Sequence, residues 1–202
     1  MTNLLLFLPL LITLASCSKS SDSLSKLPDQ GVILAFGDSL TYGTGASPQR
    51  DYPSVLARLT TRQVVNAGRP GEISSEGLRR LPDLLDRHRP DLLILIHGGN
   101  DMLRRIPPEH TAENLKQMIT LAKNRQIGVV MLGVPAPTIF WLSSAGFYQS
   151  LAEAMDVPID LETLPEVLGD NNLKSDMIHP NDQGYERIAT QIHGLLVNSG
   201  AL

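Results

Sequence analysis

Short apolar runs recur along the chain, and amphipathic segments separate them. A continuous apolar run of about four to eight residues is typical of a strand that is buried on both faces of a parallel sheet. Five such runs predict strands at residues 32–36, 64–67, 92–96, 127–132 and 157–161.

The segments between these strands place apolar residues at the spacing of an α-helix. They predict helices at residues 52–59, 73–87, 111–124, 147–155 and 185–197. Proline lacks an amide hydrogen, so we expect Pro82 to kink the second helix or to start a new turn. Strands that alternate with helices indicate a parallel, doubly wound sheet. The pattern therefore predicts an α/β fold, a flavodoxin-like three-layer α/β/α sandwich with a five-stranded parallel sheet.

The first residues of the chain have the pattern of a processing signal. The apolar run at residues 4–14 is too short to span a bilayer, which takes about 20 residues, but it fits the core of a secretory signal. It ends in Ala15-Ser16-Cys17, which resembles the bacterial lipobox, where the cysteine is lipidated and becomes the new N-terminus. We predict a lipoprotein signal peptide at residues 1–16 and lipidation of Cys17. The alternative is an ordinary secretory signal that is cut near Ser16.

A polar, serine-rich stretch follows, and it predicts a flexible tether at residues 17–28. The folded domain then spans residues 29–202, with no internal repeat and no second domain. Ser18, in place of an aspartate after the cysteine, favours the outer membrane by resemblance to such lipoproteins. We therefore expect a domain in the bacterial cell envelope that is anchored by lipid at the outer membrane and faces the periplasm.

Composition excludes several other classes of function. The net charge is −4, and the basic clusters are the pairs Arg79-Arg80 and Arg104-Arg105, so nucleic-acid binding has little electrostatic support. Adjacent arginines of this kind are expected on a solvated face. A single cysteine and five scattered histidines form no metal-ligand pattern, so we predict no catalytic metal. We expect a monomer.

Polar residues and glycines follow three of the predicted strands. They are Asp38-Ser39 after the first, residues 66–71 after the second and residues 98–101 after the third. The carboxyl ends of parallel strands meet at one edge of a sheet, where ligands bind. A fourth polar element, Asp176-Met177-Ile178-His179-Pro180, precedes the last helix, and its spacing can fold the carboxylate back toward the imidazole.

These elements supply the parts of a nucleophilic hydrolase. A serine hydroxyl reacts when a histidine takes its proton, and a carboxylate on the other ring nitrogen orients that histidine. Ser39, His179 and Asp176 can fill these three roles. The oxyanion that forms needs fixed hydrogen-bond donors. The backbone N–H groups of Ser39 and Gly71 and the side chain of Asn100 could provide them.

Four blocks of the sequence resemble those of the SGNH, or GDSL-type, hydrolases, in the family's order and approximate spacing. The blocks are Gly37-Asp38-Ser39-Leu40, residues 66–71, Gly98-Gly99-Asn100-Asp101 and Asp176-x-x-His179-Pro180. The resemblance is closest to bacterial secreted arylesterases and to the thioesterase I/lysophospholipase group. It implies a serine hydrolase that forms an acyl-enzyme without a cofactor. The implied catalytic residues are Ser39, His179 and Asp176, and the implied oxyanion donors are Ser39, Gly71 and Asn100.

The resemblance implies small-molecule substrates: carboxylic esters of acyl or aryl type, with thioesters and lysophospholipids as further candidates. A carbohydrate O-acetylesterase is the alternative within enzymes, because the same blocks serve sugar deacetylation. A non-catalytic lipoprotein that binds lipid or a protein partner is the alternative from another class. The apolar residues 139–142 could form a wall for an acyl or aryl group, or could pack on the core.

Some residues near the blocks are expected to have structural roles. Asp38 and Asp101 stand at the ends of strands, where a carboxylate commonly binds backbone N–H groups. His97 ends a buried strand and is expected to be a packed histidine. Gly68 is an alternative to Gly71 in the second block, and the distance along the chain from Asn66 favours Gly71.

Overall fold

The computed structural model describes residues 24–136 and 143–202. Its centre is a five-stranded parallel sheet with the order β2-β1-β3-β4-β5. The prediction of an α/β fold with a five-stranded parallel sheet is therefore confirmed. The strands are β1 (Val32–Gly37), β2 (Gln63–Gly68), β3 (Leu92–Ile96), β4 (Gly128–Leu132) and β5 (Ile159–Asp160).

Helices cover both faces of this sheet. The helices are α1 (Ser39–Tyr42), α2 (Tyr52–Thr60), α3 (Ser74–His88), α4 (Gly99–Leu103), α5 (Pro108–Lys123), α6 (Phe147–Met155), α7 (Thr163–Gly169) and α8 (Asp182–Asn198). The connection from β1 to β2 runs in one direction along the sheet and the later connections run in the other. Because such connections are right-handed, α2 lies on one face and α3, α5 and α6 lie on the other. Helix α8 packs against α2, and α3 packs against α5.

The central strands form the middle of the core. All five residues of β3 are buried, and so are Ile33 to Phe36 of β1. This burial explains why both strands are apolar without alternation, since neither face meets water. The outer strand β2 is only partly buried.

Three features differ from the predicted elements. Strand β5 pairs over two residues rather than five, because Pro158 has no N–H and the Val157 N–H donates to Ala152 in the last turn of α6. Helix α3 continues as one element through Pro82, so no new helix starts there. The short helices α1, α4 and α7 were not predicted, because four to seven residues are too few to show helical periodicity.

The end of the predicted tether is part of the folded domain. The N–H of Leu24 donates to the Ser199 carbonyl at 2.7 Å, and the N–H of Leu27 donates to the Ala201 carbonyl at 2.8 Å. The Leu27 side chain belongs to the hydrophobic core. The prediction of a flexible tether over residues 17–28 is therefore wrong for residues 24–28. Composition did not indicate this, because the contacts that hold the segment, including hydrogen bonds from Arg62 to the Leu27 and Pro28 carbonyls, come from residues distant in sequence.

No helix within residues 24–136 and 143–202 combines the length and the apolar character that crossing a membrane requires. The predicted signal peptide and Cys17 lie outside the described residues.

We expect Leu27→Ala to lower the free energy of unfolding by about 2 kcal/mol. This is the lower end of the range for buried leucines, because a site at the border of the core can relax around the lost side chain. Urea denaturation of the purified protein measures it. Ser25→Ala is the matched control, since Ser25 is exposed in the same segment. Equal midpoints for the two variants would contradict the packing described for this segment.

Candidate active site

The loops after β1, β2 and β3 meet at one edge of the sheet. Ser39 follows β1 and is the first residue of α1. The Arg69 N–H in the second loop donates to the Gly37 carbonyl at 3.0 Å. The Asn100 side chain in the third loop donates to Asp38 Oδ2 at 3.2 Å. Direct hydrogen bonds therefore hold both later loops against the segment that carries Ser39.

The structure brings Ser39, His179 and Asp176 into one hydrogen-bonded line. His179 Nε2 lies 3.0 Å from Ser39 Oγ, although 140 residues separate the two in sequence. On the other side of the ring, His179 Nδ1 lies 2.8 Å from Asp176 Oδ2. This is the geometry of a hydroxyl next to a base that a carboxylate orients.

The turn that carries His179 is closed by its own hydrogen bonds. Asp176 Oδ1 accepts the N–H groups of Ile178 at 2.8 Å and His179 at 2.9 Å, while Oδ2 faces the imidazole. The Ser175 N–H donates to the His179 carbonyl at 3.0 Å. The hydrogen bond with His179, followed by the one from Ile178, lowers the pKa of Asp176. The Asp176 side chain is therefore an ionised acceptor, although it is 53% exposed.

Gly71 lies at the tip of the second loop. The Glu72 N–H donates to the Arg69 carbonyl at 3.2 Å and closes a turn that has Pro70 and Gly71 as its central residues. Gly71 has a φ of +78°, which suits glycine at this position of a type II turn. The Gly68 N–H already donates to Asn66. Among the residues that the structure describes, the N–H groups of Gly71 and Ser39 donate to no protein acceptor.

The side chain of Asn100, in the segment after β3, forms hydrogen bonds with the segments that follow β1 and β2. Its Nδ2 donates to Asp38 Oδ2 at 3.2 Å and to the Glu72 carbonyl at 3.1 Å. Both amide hydrogens therefore point to protein acceptors. Donation to a substrate oxygen requires Asn100 to share or exchange the longer contact, the one with Asp38.

Asp38 and Asp101 bind backbone, as their positions predicted. Asp38 Oδ1 accepts the Leu40 N–H at 3.0 Å and caps α1. Asp101 Oδ2 accepts the Ser74 N–H at 2.8 Å and so joins the start of α3 to α4. Both carboxylates are buried. The structural roles predicted for them are confirmed.

A buried ionic cluster beneath the second loop was not predicted. Glu72 binds both Arg80 and His97 there. His97 is buried as expected, but it has a charged partner. The prediction that Arg80 belongs to a solvated face is wrong, because its side chain is 22% exposed and contacts Glu72. The one sign of this cluster in the sequence is that Glu72 directly follows Gly71 and stands eight residues before Arg80 of α3.

A pocket of about 270 Å³ opens beside Ser39. Asp38 and Asn100 line it next to the hydroxyl, and the apolar side chains of Leu103, Val134 and Met177 line it farther away. Residues 139–142, the predicted acyl wall, lie outside the described residues.

Within residues 24–136 and 143–202, no group of three or more His, Cys, Asp or Glu side chains is arranged to hold a metal ion.

A model of the GDSL-like lipase/acylhydrolase family matches residues 35–187 of this chain. The chain belongs to that family. The match includes Ser39, Gly71, Asn100, Asp176 and His179, and it confirms the resemblance that the four sequence blocks indicated.

Relatives of this GDSL-family protein are similar over most of its length. It is 34% identical to an arylesterase of Vibrio mimicus over 200 residues, which are 92% of this chain and 93% of the relative. It is 32% identical to thioesterase 1/protease 1/lysophospholipase L1 of Escherichia coli K12 over 164 residues, 78% of this chain and 79% of that one. The crystal structure of TesA superposes with a TM-score of 0.76 at 26% identity, over 83% of this chain and 99% of TesA.

We expect Asp38→Asn to gain stability relative to the wild type as pH rises. Burial raises the pKa of Asp38 above its ordinary value of 3.8. A carboxyl with a raised pKa in the folded state stabilises the fold below its unfolded pKa, and this contribution is lost as pH rises through the folded value. The difference between the two urea midpoints, measured from pH 4 to pH 8, reports the titration of Asp38 together with its coupling to nearby charged groups, while groups that do not interact with Asp38 cancel. A difference that is independent of pH would contradict this assignment.

Proposed function

We propose that this protein is a serine esterase that hydrolyses carboxylic esters of acyl or aryl type through an acyl-enzyme. The observation that carries the proposal is the hydrogen-bonded line from Ser39 Oγ through His179 to Asp176, with its distances of 3.0 and 2.8 Å. The relatives named arylesterase and thioesterase/lysophospholipase support the same class of reaction. Thioesters and lysophospholipids are the further candidate substrates.

The first half of the reaction forms the acyl-enzyme. Ser39 Oγ attacks the ester carbonyl carbon while its proton passes to His179 Nε2. The ionised Asp176 stabilises the resulting imidazolium. When the tetrahedral intermediate collapses, the bond to the leaving oxygen breaks and His179 protonates that oxygen. The alcohol departs, and the acyl group remains on Ser39.

The negative oxygen of the intermediate lies beside three donors. The N–H groups of Ser39 and Gly71 point to no other protein group among the described residues, so they are available to it. Asn100 joins them by giving up its contact with Asp38. In the family, donors of this kind hold the oxyanion, and removing one donor of such a set costs about 10²- to 10³-fold in turnover.

The second half of the reaction repeats these roles with water. His179 takes a proton from a water molecule, whose oxygen attacks the acyl carbon of the acyl-enzyme. Collapse of this second intermediate releases the carboxylic acid and returns the proton to Ser39.

Ser39→Ala is expected to lower turnover of an aryl ester by about 10³-fold or more, because the nucleophile is lost. The variant should also lose covalent labelling by a fluorophosphonate probe and keep its circular dichroism spectrum. Ser25→Ala is the control, since it removes an exposed hydroxyl far from the site, and it should be labelled like the wild type. Full labelling of Ser39→Ala would refute the assignment of the nucleophile.

We also propose that lipid on Cys17 holds the domain, as a monomer, at the bacterial outer membrane on its periplasmic side. The lipobox resemblance supports the anchor. Leu24 lies beside Gly128, the first residue of β4, whereas Ser39 follows the last residue of β1. Because the strands are parallel, the chain enters the domain at the edge opposite Ser39. The segment that connects the domain to the anchor therefore joins it away from Ser39.

Cys17→Ser should abolish incorporation of radioactive palmitate and remove the protein from the outer-membrane fraction. Its turnover per molecule should equal that of the wild type, because the chain joins the domain at the edge opposite Ser39. A wild-type protein that is soluble and carries no palmitate would rule out the anchor.

A further inference from the structure

A fully buried carboxylate lies directly beneath the second loop. The Glu72 side chain is 0% exposed, and its Oε2 accepts a hydrogen bond from Arg80 Nε at 2.6 Å. Its Oε1 lies 3.2 Å from His97 Nε2. A carboxylate that is removed from water destabilises the folded state unless partners compensate it, so such clusters call for an explanation. The triad does not use this one.

The hydrogen bonds of His97 determine which of its ring nitrogens carries the proton. The Gly98 N–H donates to His97 Nδ1 at 2.9 Å, so Nδ1 is an acceptor and carries no hydrogen. The proton of the neutral ring is therefore on Nε2, from which it is donated to Glu72. Burial by itself would raise the pKa of Glu72, but the hydrogen bonds from His97 and Arg80 outweigh it and lower the pKa. Glu72 is thus an ionised acceptor with two donors in fixed positions.

Arg80 ties this acceptor to the edge of the sheet. Its Nη2 donates to the Ala67 carbonyl at 2.9 Å and to the Gly37 carbonyl at 3.2 Å, at the ends of β2 and β1. Its guanidinium also lies over the Phe36 ring, 4.3 Å from the ring centre. The Glu72 side chain is therefore held in place relative to the strand that leads into Ser39.

The backbone of Glu72 contacts both of the donors that come from other loops. Gly71 directly precedes it, and the Glu72 carbonyl accepts the Asn100 amide at 3.1 Å. The Gly71 carbonyl accepts Arg104 Nη2 at 2.8 Å, so the residue that directly follows α4 holds the peptide between Gly71 and Glu72. A movement of the Glu72 side chain would therefore displace Gly71 and Asn100 together.

We propose that Glu72, held by Arg80 and His97, is a positioning residue that fixes the oxyanion donors Gly71 and Asn100. This inference rests on the proposed esterase function. It assigns the buried cluster to the chemical step of the reaction rather than to substrate binding, because an oxyanion exists only in the intermediate and the transition states that flank it.

Helix α3 offers a way to disturb the cluster without changing a charge. A Cβ on Gly77 would lie 2.5 Å from His97 Nε2 and 3.0 Å from Glu72 Oε1. Gly77→Ala must therefore push the imidazole away from the carboxylate, although alanine by itself favours the helix. Glu72→Gln disturbs the same contact in another way, by removing the charge in a side chain of equal size.

We expect Glu72→Gln and Gly77→Ala each to lower the rate of acylation by about 10- to 100-fold, as a small misplacement of donors does. The second-order rate of fluorophosphonate labelling measures acylation, and labelling at completion should still reach one probe per chain. An ether analogue of the ester has no carbonyl oxygen, so it should inhibit both variants as it inhibits the wild type. If Glu72→Gln does not fold, Gly77→Ala decides the test.

Two control variants match these changes in chemistry. Asp91→Asn replaces a carboxylate by an amide. The Asp91 carboxylate accepts the Val32 N–H at 2.8 Å, at the edge of the sheet opposite Ser39. Gly194→Ala adds a Cβ within α8 at a position with no neighbouring atom within 4 Å. Both controls should acylate at the wild-type rate. Wild-type rates in Glu72→Gln and Gly77→Ala would overturn the inference.

A double-variant comparison separates positioning from general stability. If Glu72 acts through the donors, Glu72→Gln should cost much less in Asn100→Ala than in the wild type, because one donor is already lost. Costs that multiply would overturn the inference. The wild-type rate and Ser39→Ala test the proposed esterase function by themselves, so a failure there is distinguishable from a failure of Glu72.

Discussion

The parallel register of β1, β2 and β3 is the constraint on which the site depends. Gly37 pairs with Gly68 on one side and with Ile96 on the other, so β1, β2 and β3 all end at the same level. Burial of both faces of β1 and β3 holds that register. Because the strands end together, the loops that follow them can exchange hydrogen bonds, and residues far apart in sequence become neighbours.

The fourth part of the site comes from outside the sheet. The turn with His179 is held where α8 begins, since Asn181 caps this helix through the N–H groups of Gln183 and Gly184. The Asn181 N–H also donates to the Leu173 carbonyl at 2.9 Å. The packing of α8 on α2 therefore sets the position of the imidazole relative to Ser39. The nucleophile and its base thus depend on two different parts of the fold.

The two carboxylates of the site, those of Glu72 and Asp176, differ in their exposure to solvent. The Glu72 carboxylate under the donors is fully buried, whereas that of Asp176 behind the histidine is about half exposed. Donors to an oxyanion must stay fixed while charge develops, and a buried, fully hydrogen-bonded network resists displacement. The acid–base pair exchanges protons with water in each cycle, which requires access to solvent. The buried surroundings of Glu72 therefore suit fixed oxyanion donors, and the exposed surroundings of Asp176 suit proton exchange with water.

The sequence alone determined the five strands, the five longer helices, the four blocks and the family. Apolar periodicity and short motifs are local properties of the chain, so they can be recognised without coordinates. Only the tertiary structure decided the partners of Glu72 and the hydrogen bond from Leu27 to Ala201. These facts depend on contacts between segments that the chain brings together only by folding, and whether a polar group is buried and paired follows from those contacts.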